Sequence, residues 1–247
     1  MATIDLNSDL GEGAGTEAAI MPLITSANIA CGAHAGDERS MRETLQLAIA
    51  NKVAPGAHPG YRDPASFGRL ALDIPADELT ADLVVQIDAL RKIARSEGTD
   101  LAHVKAHGAL YNTAQLDEGV AAAIVAAVRQ AVPRCVLFVF PGSAVERAAR
   151  AAGLRVAREG FIDRTYEADG TLRSRTHADA LITDPERAAT QALSFVRYGG
   201  VRARDGTFLR LDVDTLCVHG DTPGAPAILR AARAALVSAD LAVRRLE

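Results

Sequence analysis

The sequence has no excess of charge of either sign. Its 27 Lys and Arg stand against 31 Asp and Glu, a formal net charge of -4 over 247 residues. Spread evenly, that balance offers no surface for nucleic acid or for an anionic membrane. No apolar run approaches the ~20 residues of a membrane span. The amino-terminal M-A-T-I-D-L-N has no basic segment followed by an apolar core, so no signal peptide is expected. Cysteine is scarce: Cys31, Cys135 and Cys217 are an odd, widely spaced set without C-x-x-C. In apolar, strand-like contexts they read as reduced, buried thiols of a cytoplasmic protein. Only Cys31, close to His34, stands as a weak candidate nucleophile.

The familiar catalytic signatures are missing as well. There is no G-x-x-x-x-G-K-[ST] loop, so ATP, if used, is not held in a P-loop. There is no G-x-G-x-x-G after a strand, no G-x-S-x-G elbow and no H-E-x-x-H.

What is present is a strand–loop–helix alternation. Asn28–Asp37, N-I-A-C-G-A-H-A-G-D, leaves an apolar stretch, turns on glycines and enters an amphipathic segment that Asp37 is placed to cap. Strands are expected at 3–7, 25–30, 53–57, 101–105, 136–140, 154–158 and 215–218. Helices are expected at 37–52, 76–96, 117–131, after Ser143, and from Asp184-Pro185 to about Tyr198, with Thr222-Pro223 opening the last. A hairpin is expected near Asp169-Gly170 and a short extra strand at 207–211. Roughly seven strand–helix alternations with short connections argue for one α/β domain, residues 1–247, with a parallel sheet and helices outside. The alternation alone leaves closure into a barrel open.

The chemistry collects at strand ends. His34, His58, Lys105, His107, Glu159, His219 and Asp221 each follow the C-terminal end of an expected strand, the side on which barrel active sites form. Asn7, Asp9 and Glu12 end the first strand in a glycine-rich loop, and Arg164 follows the sixth. Lys105 stands out: the chain has three lysines, at 52, 92 and 105, and this one lies inside a strand. A lysine there calls for an anion or a carboxylate partner. His34, Asp37, His58, Lys105 and His107 are therefore the candidate catalytic residues. Asn7, Asp9, Glu12, Glu159, Arg164, His219 and Asp221 are the candidate substrate- or phosphate-binding residues. Asp37 and Asp221 also read as helix caps. Histidines and carboxylates at strand ends can build a divalent metal site, Mg²⁺ included, but no ligand spacing designates one.

The stretches D-L-N-S-D-L-G-E-G, I-T-S-A-N-I-A-C-G-A-H-A-G-D, G-A-H-P-G-Y, H-V-K-A-H-G-A-L-Y-N, F-I-D-R-T-Y and V-H-G-D together resemble the LamB/YcsF family, that of the 5-oxoprolinase A subunit, from about Thr3 to Leu236. Ser8, Ala33, Arg62 and Ala106 depart from its usual residues, and the loop after Glu12 is shorter. The resemblance implies a seven-stranded, TIM-like (β/α) barrel similar to polysaccharide deacetylases. It implies ATP-dependent opening of 5-oxoproline to glutamate with partner subunits B and C. A homo-oligomer is compatible with this. Two other readings stay open: a metal-dependent deacetylase or amidohydrolase acting alone, and a non-catalytic subunit that presents substrate.

Overall fold

A computed structural model describes residues 3–246; Met1 and Ala2, part of the segment read for a signal peptide, lie outside them. The first strand, β1 (Thr3–Leu10), is followed by the short helix α1 (Glu17–Ile20). Then come β2 (Ser26–Ala30), α2 (Glu38–Ala50), β3 (Ala54–His58), α3 (Ala76–Ser96) and β4 (His103–Lys105). Helices α4 (Gly108–Thr113) and α5 (Glu118–Ala131) precede β5 (Val136–Val139), α6 (Ala144–Ala151), β6 (Arg155–Phe161) and α7 (Pro185–Tyr198). The chain finishes with β7 (Gly200–Arg202), β8 (Phe208–Arg210), β9 (Thr215–Cys217), α8 (Ala225–Ser238) and β10 (Ala242–Val243).

Seven parallel strands, in the order β1-β2-β3-β4-β5-β6-β9, close on themselves because β9 pairs with β1. The helices lie outside. β7 and β8 form a separate antiparallel ribbon, and β10 adds to the outer edge of β1.

The strand period of two explains how this barrel separates its two faces. Ile4, Leu6, Ala27, Ile29, Ala57, Val104, Leu137, Val139 and Leu216 join the apolar core shared with the helices. Their alternates point inward. One side of the interior is apolar, with Val136, Phe138 and Ala157 packed together. The other is polar, with Asp5, Asn7, Asp9, Asn28, His103, Lys105, Glu159 and Thr215 all buried. Burying so many polar groups is tolerable only when they are paired, and the pairing is extensive. His103 donates to Asn28 Oδ1 (2.7 Å), Asn28 to Asn7 Oδ1 (2.8 Å), Asn7 to Thr215 Oγ1 (2.7 Å) and Thr215 to Asp5 Oδ2 (2.5 Å). Gly56 makes room for this: a Cβ there would stand 2.2 Å from His103 Nε2.

Several helix starts follow from their sequence. Asp37 accepts from Ser40 N at 2.8 Å while Ser40 Oγ accepts from Asp37 N at 2.8 Å, a reciprocal cap for α2. Ser143 caps α6, but Glu146 reaches back to Gly142 N rather than to Ser143 N. Asp184 caps α7, with Pro185 at its first position. The opening of α8 differs from expectation. Gly224 is its N-terminal flanking residue, and Thr222 instead donates its hydroxyl to Asp163. The short helices α1 and α4 and the strand β10 lack a full period of pattern, and the sequence did not announce them. Among the described residues no helix is long and apolar enough to cross a membrane.

Candidate functional site

The C-terminal ends of the barrel strands open into a cavity of about 670 Å³. Asp9, Glu12, His58 and Lys105 line its inner end. His107, Arg164, His219 and Asp221 line its walls. The cavity thus collects residues from five strands or the loops after them.

Lys105 carries the charge at the base. It is 2 % exposed, and its Nζ lies 2.9 Å from Asp9 Oδ1, 2.9 Å from Glu159 Oε1 and 3.1 Å from Cys217 Sγ. Burial opposes the ammonium form, but Asp9, Cys217 and Glu159 outweigh it and hold the lysine well above its ordinary range. Burial likewise opposes the Asp9 carboxylate, and His58 with Lys105 keeps it ionised well below the usual range. Lys105 is therefore a fixed cation that orients two carboxylates, not a neutral amine.

Above it, Glu12 Oε1 is ringed by imidazoles: His34 Nε2 at 2.9 Å, His107 Nδ1 at 3.1 Å and His58 Nε2 at 3.6 Å. His34 and His107 stack with ring centroids 3.6 Å apart. Gly68 permits this packing. Its φ is +60°, and a Cβ would meet His34 Cβ at 2.8 Å and His107 Cδ2 at 3.0 Å. Burial lowers the His34 imidazole to about 4 and also lowers His107. Burial opposes the Glu12 carboxylate, yet the hydrogen bonds from His107 and His34 hold it below its ordinary value.

Across the cavity, His219 Nδ1 lies 2.9 Å from Asp163 Oδ2, which also accepts from His219 N (3.0 Å) and Thr222 Oγ1 (2.6 Å). Burial works against ionised Asp163, but His219 and Thr222 hold it at about 2. The proton on Nδ1 then leaves His219 Nε2 as the free nitrogen, 3.9 Å from Asp9 Oδ2. Arg164 is 6 % exposed and donates only to the carbonyls of Arg173 and Ala180, with no salt-bridge partner among the described residues. Burial, with Arg175 nearby, lowers its guanidinium to about 10. Asp221 pairs with Arg69 and Arg175 at the rim.

A model described as the LamB/YcsF family matches residues 4–247. The chain belongs to the LamB/YcsF family. Among curated relatives, the 5-oxoprolinase A subunit of Symbiobacterium thermophilum is 51 % identical over 245 residues, covering 97 % of this chain and 94 % of that protein. The protein of the same name from Bordetella pertussis is 49 % identical, covering 98 % of both. The crystal structure of a lactam utilization protein from Thermus thermophilus superposes with a TM-score of 0.91 at 44 % identity, covering 99 % of this chain and 100 % of that one. A structure titled "T48 deacetylase with substrate" shares the fold alone, with a TM-score of 0.51 at 11 % identity over 98 % of this chain and 87 % of that one.

Within this LamB/YcsF barrel the other expected site residues stand apart from the cavity. Asn7 and Glu159 lie beneath it, Asn7 Nδ2 donating to Glu159 Oε1 at 3.0 Å. His34 sits behind His107 as its stacking partner. Asp37 is exposed, engaged in its cap, and does not line the cavity. Cys31 bonds Ile29 O at 3.2 Å, and burial pushes its thiol up to about 12, which leaves no thiolate nucleophile. Sequence reasoning passed over Asp163, Tyr111, Arg69, Arg173 and Arg175. Asp163 follows β6 by two residues and carried the same strand-end signal as Glu159. The arginines lie on loops whose path no local pattern reveals.

Proposed function

We propose that this chain is the A subunit of a 5-oxoprolinase, opening the lactam of 5-oxo-L-proline to give L-glutamate with ATP and partner subunits B and C. Full-length likeness to relatives of that name supports the assignment. Within the geometry, Arg164 carries it. A nearly buried guanidinium that lines the cavity without a carboxylate partner is a receptor for an anion, and 5-oxoproline has one carboxylate to offer. Asp9 and the His219–Asp163 pair then flank the ring.

A lactam is a stable amide. Transfer of the γ-phosphoryl group of ATP to its oxygen makes the ring carbon electrophilic. Water adds there, the C–N bond breaks and the nitrogen takes a proton; a second water releases phosphate and leaves glutamate. His219 Nε2, oriented by Asp163, takes the proton from water. Lys105 steadies Asp9 and supplies positive potential beneath the developing oxyanion. Tyr111, lining the cavity with its hydroxyl buried and unpartnered, offers a donor to the ligand.

Nucleotide chemistry is completed at the interface with the partners, because the chain has no P-loop. Purified alone, the chain releases negligible glutamate from 5-oxoproline with or without ATP and Mg²⁺. Adding subunits B and C gives stoichiometric glutamate and ADP. ATP-driven turnover by the chain alone would remove the interface from this account. ATP-independent release would favour the stand-alone amidohydrolase.

A further inference from the structure

Beside the cavity, four donor atoms from four different loops or strand ends converge: Glu12 Oε1, His34 Nε2, His58 Nε2 and His107 Nδ1, all within 4.8 Å of one another. Hydrogen bonds on the far side of two rings decide what these atoms present. His58 Nδ1 lies 2.8 Å from Lys105 O, and His107 Nε2 lies 2.9 Å from Phe67 O. A carbonyl only accepts, so each of those nitrogens carries its proton. That leaves His58 Nε2 and His107 Nδ1 as the inward-facing nitrogens, 3.1 Å from each other and 3.6 and 3.1 Å from Glu12 Oε1. His34 Nδ1 is buried without a partner among the described residues, so that ring has no second contact to fix its tautomer.

A buried carboxylate oxygen ringed by three imidazole nitrogens has the composition of a cation's ligand set. We propose that Glu12, His34, His58 and His107 form a binding site for one divalent transition-metal ion of the zinc class. Zn²⁺ bonds of about 2.0–2.1 Å in a tetrahedron put ligand atoms about 3.3 Å apart. Four of the six separations, 2.9, 3.1, 3.1 and 3.6 Å, bracket that value, and the two between His34 and the other imidazoles lie within 4.8 Å; His34 turns out of its stack on His107 to aim its nitrogen at the ion. Three imidazoles and one carboxylate suit Zn²⁺, Co²⁺ or Mn²⁺ and are poor partners for Mg²⁺, which prefers oxygen. The carbonyl contacts to His58 and His107 are the outer-shell orientation that metal-bound histidines display. Glu12, His58 and His107 also line the cavity, so an ion here would be reachable by substrate or water. Such an ion supplies Lewis-acid chemistry to the same cavity. The site is inferred independently of the lactam assignment.

The test uses the full chain and needs no substrate. After chelator treatment, Zn²⁺, Co²⁺, Mn²⁺ and Mg²⁺ are titrated separately. Uptake is followed by elemental analysis and calorimetry, the unfolding temperature by scanning, and Co²⁺ by its visible absorption. The expected result is one Zn²⁺ per chain, a raised unfolding temperature, a low-symmetry Co²⁺ spectrum and no response to Mg²⁺. Glu12→Gln and His107→Gln should each weaken Zn²⁺ binding by more than the roughly 100-fold that loss of an outer-shell partner costs. His177→Ala, at an exposed histidine elsewhere, should bind as the parent does. Failure of the parent to bind Zn²⁺ or Co²⁺, or binding that survives both substitutions in folded protein, overturns the site. If a variant does not fold, the Co²⁺ spectrum of the parent decides: octahedral oxygen-type absorption overturns it, and nitrogen-rich, low-symmetry absorption supports it.

Discussion

His103 at the floor of the barrel and His58 and His107 at its mouth are all buried imidazoles in one short stretch of space. His103 donates to Asn28, lies against Phe138 with ring centroids 4.3 Å apart, and feeds a directed chain of hydrogen bonds that ends on Asp5. There each donor meets an acceptor. At the mouth the outward nitrogens are satisfied by carbonyls, while the inward ones converge on each other and on Glu12. Burial and residue type are the same; what the nitrogens face differs. A histidine set against a single partner fixes structure, whereas imidazoles that converge on one carboxylate oxygen form a set of ligand atoms.

Lys105 joins the two regions, and replacing it should have the largest effect. Lys105→Met leaves Asp9 and Glu159 buried without their countercharge, a loss on the order of 3–5 kcal/mol for a broken buried pair. Turnover of the reconstituted enzyme and the denaturant midpoint should both collapse. A variant with full activity and unchanged midpoint would break the coupling of floor and mouth.

Next in size is Asp5, which isolates the floor. Burial raises its carboxyl from 3.8 to about 6, against the hydroxyls of Ser26, Thr215 and Thr25. The unfolded chain gives up this proton at lower pH than the folded one. The Asp5 contribution to stability is therefore full below about pH 4 and is lost as pH rises through about 6. The stability of the parent minus that of Asp5→Asn should fall by on the order of 3 kcal/mol across that interval. Denaturant titrations at a series of pH values measure it, and a flat difference would mean that Asp5 titrates normally.

Gly68→Ala isolates the mouth. A side chain at φ +60° costs about 1–3 kcal/mol, and its Cβ presses on His34 and His107. Activity should fall more steeply than stability, because the stacked pair is displaced. Equal losses would deny the mouth its separate sensitivity.

The smallest effect is expected outside both regions. Asp37→Ala removes a cap and costs about 1 kcal/mol, with turnover retained. A large loss of turnover at unchanged stability would return Asp37 to the catalytic set.

Much of this was legible in local pattern. The alternation of strands and helices, the caps at Asp37, Ser143 and Asp184, and the gathering of Asp9, His58, Lys105 and His107 at strand ends all follow from it. The interior polar residues on alternate positions of β1, Asp5, Asn7 and Asp9, stand out because a strand buried on both faces is ordinarily apolar throughout. The spacing His103–His107 was less transparent. Four residues apart on a helix they would share one face. Here they belong to a strand and the loop after it, so one reaches the floor and the other the mouth.

Local pattern settled what is periodic and near in the chain: which segments are strands, which faces are apolar, where most helices start, and that reactive groups follow the strand ends. Tertiary structure alone decided the rest. Closure through the pairing of β9 with β1 placed Thr215, Cys217 and His219 opposite Lys105 and Asp9, across more than a hundred residues of chain. It also chose which histidines converge on Glu12, and it left Arg164 without a carboxylate partner among the described residues. The physical reason is that a side chain's role depends on the atoms within about 3 Å of it, and in a barrel those atoms come from strands distant in sequence.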